Sequence, residues 1–366
     1  MIKILFVGSF KVETKDKSVG GQMYACKSLI NSDLRNKYQF ILVDSTSNSV
    51  PAPHLPIRLI NAVIRFFEFL IKLIFLKPSI ILVFSSAGFS LIEKGSYVLL
   101  GNLFRKRTIF APRSGLIYDQ VQHSFLFNRI VSLIVRTSDI VLCQGIFWSK
   151  FYKSLDRRSL PEKFQIQYNW INTKLYDIKK NDRLSKQVTI LYIGWLEEYK
   201  GVLDLIKVAD KLNHKGVDFV LRICGSGSQR NVMKKLILKA NLEGKVLFEG
   251  WVGHSRKLEL LSESDIFVIP SYKEGFPNVM LEAMSCGLPV VTTNIGIVPE
   301  IIQTGINGLV FTPGDVNAFY ENLTILLKSK EMRFIIGKQA KETVQQYSLD
   351  VTVKNMDKLF RDLIVK

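Results

Sequence analysis

Residues 271–291 read S-Y-K-E-G-F-P-N-V-M-L-E-A-M-S-C-G-L-P-V-V, and this stretch decides the fold. An apolar, strand-like run, Asp265 to Pro270, leads into it, and a second, Pro289 to Thr292, closes it. Between them the residue types predict a short helix. Pro277 suits a first turn because the N–H it lacks has no intrahelical partner there. Glu282 to Met284 are good helix formers, and Gly287 supplies a left-handed C-terminal residue at no steric cost. The unit is strand, loop, helix, strand.

Two carboxylates are spaced across it, Glu274 in the loop and Glu282 on the helix. A rise of about 1.5 Å per residue sets the second acid roughly 7 Å along the helix from Asn278, so the pair can grip separate parts of one extended ligand. Gly275 lets the backbone pass close to that ligand, and the free amides at the helix N-terminus favour an anion such as a diphosphate. An acid beside an anion site serves hydroxyls better than charge. The ligand this suggests carries both sugar hydroxyls and phosphates. Taken singly, either glutamate is more often a helix cap or a solvated residue.

The whole segment E-G-F-P-N-V-M-L-E-A-M-S-C-G-L-P-V-V also resembles, almost residue for residue, the E-x7-E signature of glycosyltransferase family 4, a retaining group. The resemblance implies an α/β chain of GT-B fold: two Rossmann-like, doubly wound parallel-sheet domains facing a central cleft. It implies that Glu274, with the amides of Gly275, Phe276, Pro277 and Asn278 as a loop, holds the donor sugar, and that Glu282 holds the ribose hydroxyls.

Length and composition agree with two domains. The 366 residues suffice for two cores, and 47% apolar with 22% charged residues is globular. The run Met1 to Val7 is broken by Gly8 and Ser9 and reads as a first buried strand rather than a signal peptide. Cys26, Cys143, Cys224 and Cys286 stand far apart in apolar contexts, as reduced thiols of a cytosolic protein do. The four histidines show no ligand spacing, so no metal site is expected. Net charge is +18, and residues 1–170 hold 23 Lys and Arg against 10 Asp and Glu. Such a field attracts anionic lipid or polyanionic substrate. With no arginine-rich or aromatic RNA-binding motif, nucleic acid ranks last.

Along the chain, strand Ile2 to Gly8, Gly20-Gly21, helix Gln22 to Leu34 and strand Gln39 to Asp44 form a βαβ pattern. Gly20 and Gly21 are a tight turn on their own; the resemblance makes them the element that approaches the donor diphosphate from the first domain. In residues 57–76 the polar positions Arg58, Asn61, Arg65, Glu68 and Lys72 make one narrow stripe on an otherwise apolar helix. Its charges argue against a spanning helix. Two readings stand, burial between sheet and neighbours, which is the more frequent, and an interfacial helix with its apolar face in lipid. Strand Thr108 to Ala111 leads to Pro112-Arg113-Ser114-Gly115, where the family commonly carries a histidine and a glycine. Arg113 there either binds a phosphate or acidic acceptor or is a surface residue in a turn. A polar, lysine-rich connector spans about 160–185.

The second half alternates again. Strand Val188 to Ile193 precedes G-W-L-E-E-Y-K-G, strand Asp218 to Cys224 precedes Gly225-Ser226-Gly227, and strand Lys245 to Phe248 precedes Gly250-Trp251-Val252. Ligands of such sheets bind outside the carboxyl ends of the strands. Lys200 sits at one such end, where a lysine can neutralise a diphosphate. The resemblance implies G-R-L-x-x-x-K-G here, with arginine and lysine both on the phosphates, but Trp195 stands in place of the arginine. Gly225 and Gly227 suit close passage of a nucleotide, and the backbone up to Val252 suits its base.

The expected domains are 1–170 for the acceptor, 171–347 for the nucleotide-sugar, and a helix in 348–366 crossing back to the first. The expected activity is retaining, metal-independent transfer of a sugar from a UDP- or GDP-sugar to a saccharide or lipid-linked saccharide in capsule, lipopolysaccharide or exopolysaccharide synthesis. Glu274, Lys200 and Arg113 are the catalytic candidates, no cofactor is required, and the protein is placed in the cytoplasm with an anionic inner-membrane surface as a partner. The rival readings are a nucleotide-sugar hydrolase or epimerase of the same fold, and a membrane- or polyanion-binding scaffold with a degenerate donor site.

Overall fold

A computed structural model describes residues 1–11, 21–46, 54–178 and 187–365. The chain divides into two compact units, Met1–Trp170 with Leu349–Lys366, and Ile171–Ser348.

In the first unit, strands β1 (Ile2–Gly8), β2 (Tyr38–Asp44), β3 (Ile80–Ser85), β4 (Arg107–Pro112), β5 (Ile140–Cys143) and β6 (Phe164–Ile166) form one sheet in the order β2-β1-β3-β4-β5-β6. Every neighbouring pair is parallel. The strands are near-continuous apolar runs because helices cover both faces. Those helices are α1 (Gly21–Ile30), α2 (Leu55–Leu76), α3 (Phe89–Leu103), α4 (Leu116–His123), α5 (Phe125–Thr137) and α6 (Ile146–Leu155).

The second unit repeats the plan with β7 (Val188–Ile193), β8 (Phe219–Cys224), β9 (Val246–Gly250), β10 (Ile266–Ile269), β11 (Val290–Thr293) and β12 (Leu309–Phe311), in the order β12-β11-β10-β7-β8-β9, again all parallel. Its helices are α7 (Val202–His214), α8 (Arg230–Lys239), α9 (His254–Ser262), α10 (Asn278–Ser285), α11 (Val298–Ile301), α12 (Val316–Lys328) and α13 (Lys330–Thr343). The last helix, α14 (Leu349–Val365), packs on the first sheet: Met356, Leu359, Phe360 and Leu363 join the core with Ile4, Phe6, Ile80 and Trp170. Asp357 fixes it there, accepting from Tyr38 Oη at 2.8 Å and pairing with Lys37 Nζ at 2.8 Å. Burial, helped by that hydrogen bond, holds the Tyr38 phenol well above its ordinary pKa.

Both sheets reverse winding direction once. The chain leaves β1 towards β2 on one side and returns to β3 on the other; in the second sheet the same happens between β7 and β10. Ligand crevices of doubly wound sheets lie at these points, outside the carboxyl ends of the strands.

Two expectations change. The connector placed at 160–185 contains an edge strand, β6, and buries Trp170 and Tyr176. Its polar composition hid a strand of three residues. The burial reading of the 57–76 helix is overturned: in α2 only Phe69 and Leu73 are fully buried, while Ile60, Ile64 and Phe67 are more than half exposed. The C-terminal part of the polar stripe points inward instead, while Arg58 and Asn61 stay exposed. Arg65 is bound by both oxygens of Glu93 at 2.7 and 2.9 Å, and Lys72 donates to Leu42 O at 2.7 Å and to Glu68. The helix stops at Lys77, whose φ of 47° is left-handed, because Pro78 cannot continue it. No described helix is long and apolar enough to cross a membrane.

Candidate functional site

The site is built on β10, α10 and the strand ends beside them. After β10 the chain turns through Ser271, whose carbonyl accepts a 2.6 Å hydrogen bond from the Thr293 hydroxyl of neighbouring β11. Phe276 and Pro277 are buried and anchor the loop, and α10 begins at Asn278 with no side chain capping it. The N-terminal amides of a helix left without a side-chain cap present partial positive charge. Gly287 ends the helix at φ 71°, as its residue type predicts. A Cβ on Gly296 would stand 2.8 Å from Glu274 O, so glycine there lets the next loop press on the carboxylate-bearing one.

Glu274 is joined to Lys200, 74 residues away, by a 2.5 Å ion pair, and Oε1 also accepts from Ser271 Oγ at 3.0 Å. The two side chains are 14% and 16% exposed, enough to meet a ligand and dry enough for the charges to act strongly. Lys200 is placed by backbone rather than by chance: Gly201 follows at φ +67°, and a Cβ on it would lie 1.9 Å from Pro270 O. No other residue fits between the two loops. Tyr272 N donates to Tyr199 O at 2.8 Å, completing the seam between the ends of β7 and β10 at the switch point.

The loops after β8 and β9 join the same edge. Leu196 N donates to Ser226 O at 2.9 Å and Gly225 N to Gly250 O at 2.7 Å. A Cβ on Gly225 would meet Gly194 O at 1.8 Å, and one on Gly227 would meet Leu196 O at 2.4 Å. These glycines permit loop-on-loop packing. Trp195 and Trp251 meet here with ring centroids 5.1 Å apart, both about two-fifths exposed, and the half-buried Val252 follows. Burial, helped by the Glu274 charge, pushes the Tyr192 phenol well above its usual range, and its hydroxyl donates to Trp195 O at 2.8 Å.

Glu282, on the second turn of α10, is buried and held by Lys257 of α9. Lys257 Nζ donates to Oε1 at 2.8 Å and lies 2.7 Å from Oε2, which receives no well-directed hydrogen bond and so keeps an acceptor to spare. Thus Lys200, Gly225, Gly227, Val252, Gly275, Phe276, Pro277, Asn278, Glu274 and Glu282 all belong to the loops and the first two helical turns beyond β7, β8, β9 and β10.

Gly21, Arg113 and Gly20 belong to the first unit. Gly20 lies outside the described residues. Gly21 opens α1, and the next residue, Gln22, donates through Nε2 to Phe84 O at 3.2 Å. Arg113 is not the surface residue in a turn that its sequence context allowed. Its guanidinium lies 4.4 Å from the Phe84 ring and 5.0 Å from the Trp170 ring, and Nη1 donates to Asn169 Oδ1 at 2.6 Å. Nε and Nη2 are buried and hydrogen-bond nothing among the described residues, and burial lowers the pKa to about 10.

Sequence reasoning missed Lys257, the pairing of the two tryptophans and the cage around Arg113. Each partner lies 25 to 57 residues away along the chain, and no local pattern carries such contacts.

Comparison with known proteins places this geometry. Residues 175–343 match the family model "Glycosyl transferases group 1". The chain is 28% identical over 245 residues to N-acetyl-alpha-D-glucosaminyl L-malate synthase of Bacillus anthracis, covering 65% of this chain and 63% of that protein. It is 26% identical over 207 residues to the capsular polysaccharide biosynthesis glycosyltransferase CapM of Staphylococcus aureus, covering 56% and 52%. In both cases less than two thirds of the relative's length is matched. Among solved structures, Anabaena HepE in complex with UDP and glucose superposes with a TM-score of 0.76 at 15% identity, over 99% of this chain and 100% of that one. Residues 175–343, which hold every strand of the second sheet, thus resemble the glycosyl transferases group 1 family, within a chain of two six-stranded parallel sheets that shares the GT-B fold.

Proposed function

We propose that the protein is a retaining glycosyltransferase that moves a sugar from a UDP- or GDP-sugar to a saccharide acceptor held by the first unit. The observation that carries this reading is the Lys200–Glu274 pair at the β7/β10 switch point, beside the uncapped start of α10. An ammonium and a carboxylate that satisfy each other can exchange partners when a sugar diphosphate arrives. Lys200 turns to the phosphates, where the α10 amides add to it, and Glu274 accepts from sugar hydroxyls. Glu282, with its spare acceptor, takes the ribose hydroxyls.

In the reaction the acceptor oxygen bonds to the anomeric carbon as the carbon–diphosphate bond breaks, and the acceptor proton leaves with the diphosphate. Negative charge grows on that leaving group, so fixed donors there lower the barrier more than they tighten ground-state binding. Two glutamates placed for hydroxyl binding do not form a glycosidase-type acid and nucleophile pair, which favours attack from the face the diphosphate leaves. Lys200 and the amides take the place of a divalent ion. The acceptor is a lipid-linked saccharide of capsule, lipopolysaccharide or exopolysaccharide assembly, and the protein works at the inner membrane face; the basic first unit and the outward apolar face of α2 support this, as does the likeness to CapM. Incubation with a panel of UDP- and GDP-sugars tests the reading. It requires an α-donor to give an α-product by NMR, undiminished by EDTA; a β-product, or free sugar with every acceptor supplied, overturns it.

A further inference from the structure

The first sheet has its own switch point, between β1 and β3, and the ends of those strands open on a cavity of about 900 Å³ walled by α2 and α3. The strand ends contribute Ser9, Thr46 and Ser86; the helices contribute apolar side chains such as Leu59, Val63 and Phe89. One charged group in the lining is anomalous. Lys94 of α3 is 3% exposed, yet its ammonium makes no hydrogen bond or ion pair with any described residue. The nearby acid is already used: both oxygens of Glu93 hold Arg65, and Oε1 also accepts from Tyr97 Oη at 2.9 Å.

An unpaired buried cation is costly, and a methionine of similar shape would fill the place without that cost. Burial brings the Lys94 pKa down to about 8, with Arg65 acting in the same direction and Glu93, Cys26 and Asp44 opposing it. At neutral pH the group is charged and lacks a counter-ion. Around it the same cavity is walled by Leu59, Val63 and Phe67 of α2, each about half exposed. An unpaired ammonium and an exposed apolar wall in one cavity match the two halves of an amphiphile.

We propose that this cavity binds the phosphate-bearing end of an amphiphilic acceptor, with Lys94 as the counter-charge of the phosphate and the apolar side chains of α2 and α3 along its hydrocarbon chain. Its role as acceptor site rests on the glycosyl-transfer reading; the binding itself does not.

Calorimetric titration of the full chain with octyl phosphate, octanol and inorganic phosphate separates the parts. Octyl phosphate is expected to bind at least tenfold more tightly than either. Lys94→Met should lose about tenfold or more in affinity for octyl phosphate and none for octanol, while melting no lower than the wild type at pH 7. Val63→Glu, at an exposed position of the wall, should weaken octyl phosphate as well. Equal affinity of the wild type and Lys94→Met overturns the assignment. So does inorganic phosphate binding as tightly as octyl phosphate, which marks a site for the free anion only. Donor turnover is measured separately. If it is absent while octyl phosphate binding stays dependent on Lys94, the transferase reading falls and the site stands; turnover with binding indifferent to Lys94 gives the reverse.

Discussion

Replacing Lys200 by methionine removes the ammonium, keeps most of the side-chain volume and leaves Gly201 and its packing against Pro270 untouched. The loss should appear in the chemical step. A donor aimed at developing charge on a leaving group is worth about 2.7–4 kcal/mol, so kcat should fall roughly 10²–10³-fold with little change in the KM for donor. Stability responds differently. Glu274, 14% exposed, then keeps the Ser271 hydroxyl as its side-chain donor, and a carboxylate stripped of its cation in so dry a place should cost about 1–3 kcal/mol. Adding Glu274→Gln removes the stranded charge, so the double variant should regain most of that stability and none of the activity. Continuous UDP-release kinetics and urea unfolding measure the two quantities on the same preparations. A kcat within threefold of wild type, or a raised KM at unchanged kcat, refutes a leaving-group role for Lys200.

Lys257→Ala should strand Glu282, lowering stability by about 1–3 kcal/mol in urea titrations and raising the donor KM without lowering kcat in proportion. Trp148 and Trp170 are buried while Trp195 and Trp251 are exposed, so UDP binding should quench emission chiefly from the latter pair, and Trp195→Phe should remove much of the signal. Trp195→Arg adds a charge-assisted donor worth roughly 1.5–3 kcal/mol and should tighten UDP about tenfold or more in calorimetry. Lys94, with its pKa lowered from an ordinary 10.5 to about 8, binds its proton less readily folded than unfolded. The penalty is therefore full below about pH 8 and disappears as pH rises through 10.5. Compared with Lys94→Met, the wild type should gain roughly 3 kcal/mol of relative stability across that window, read as the difference between their urea midpoints. Ile64→Glu, on the outward face of α2, should reduce co-flotation with anionic vesicles at low salt about tenfold, since burying one such side chain is worth about 1.5–3 kcal/mol.

The repeated parallel units were readable in the chain because their strands are long apolar runs followed by glycine, lysine or acid at the carboxyl end. The segment from Asp265 to Thr292 was legible almost to the residue: Pro277 and Gly287 mark the ends of α10 by the backbone angles they permit. β6 was not, since three residues, F-Q-I, carry no period. α2 was misjudged because a narrow polar stripe looks the same whether it faces solvent or a sheet; only the partners Glu93 and Leu42, brought in by tertiary packing, decide it. The distances within the site were equally hidden. Lys200 and Glu274 are 74 positions apart, and their contact exists because β7 and β10 are neighbours in a sheet that winds both ways.

The central claim is that a sugar diphosphate takes over the partners of the Lys200–Glu274 pair. A crystal structure with UDP-glucose or GDP-mannose, whichever raises the melting temperature, tests it most directly. Phosphate oxygens are expected within hydrogen-bonding reach of Lys200 Nζ and the first amides of α10, and a sugar hydroxyl on the Glu274 carboxylate. A nucleotide bound elsewhere, with Lys200 and Glu274 still joined to each other, contradicts it.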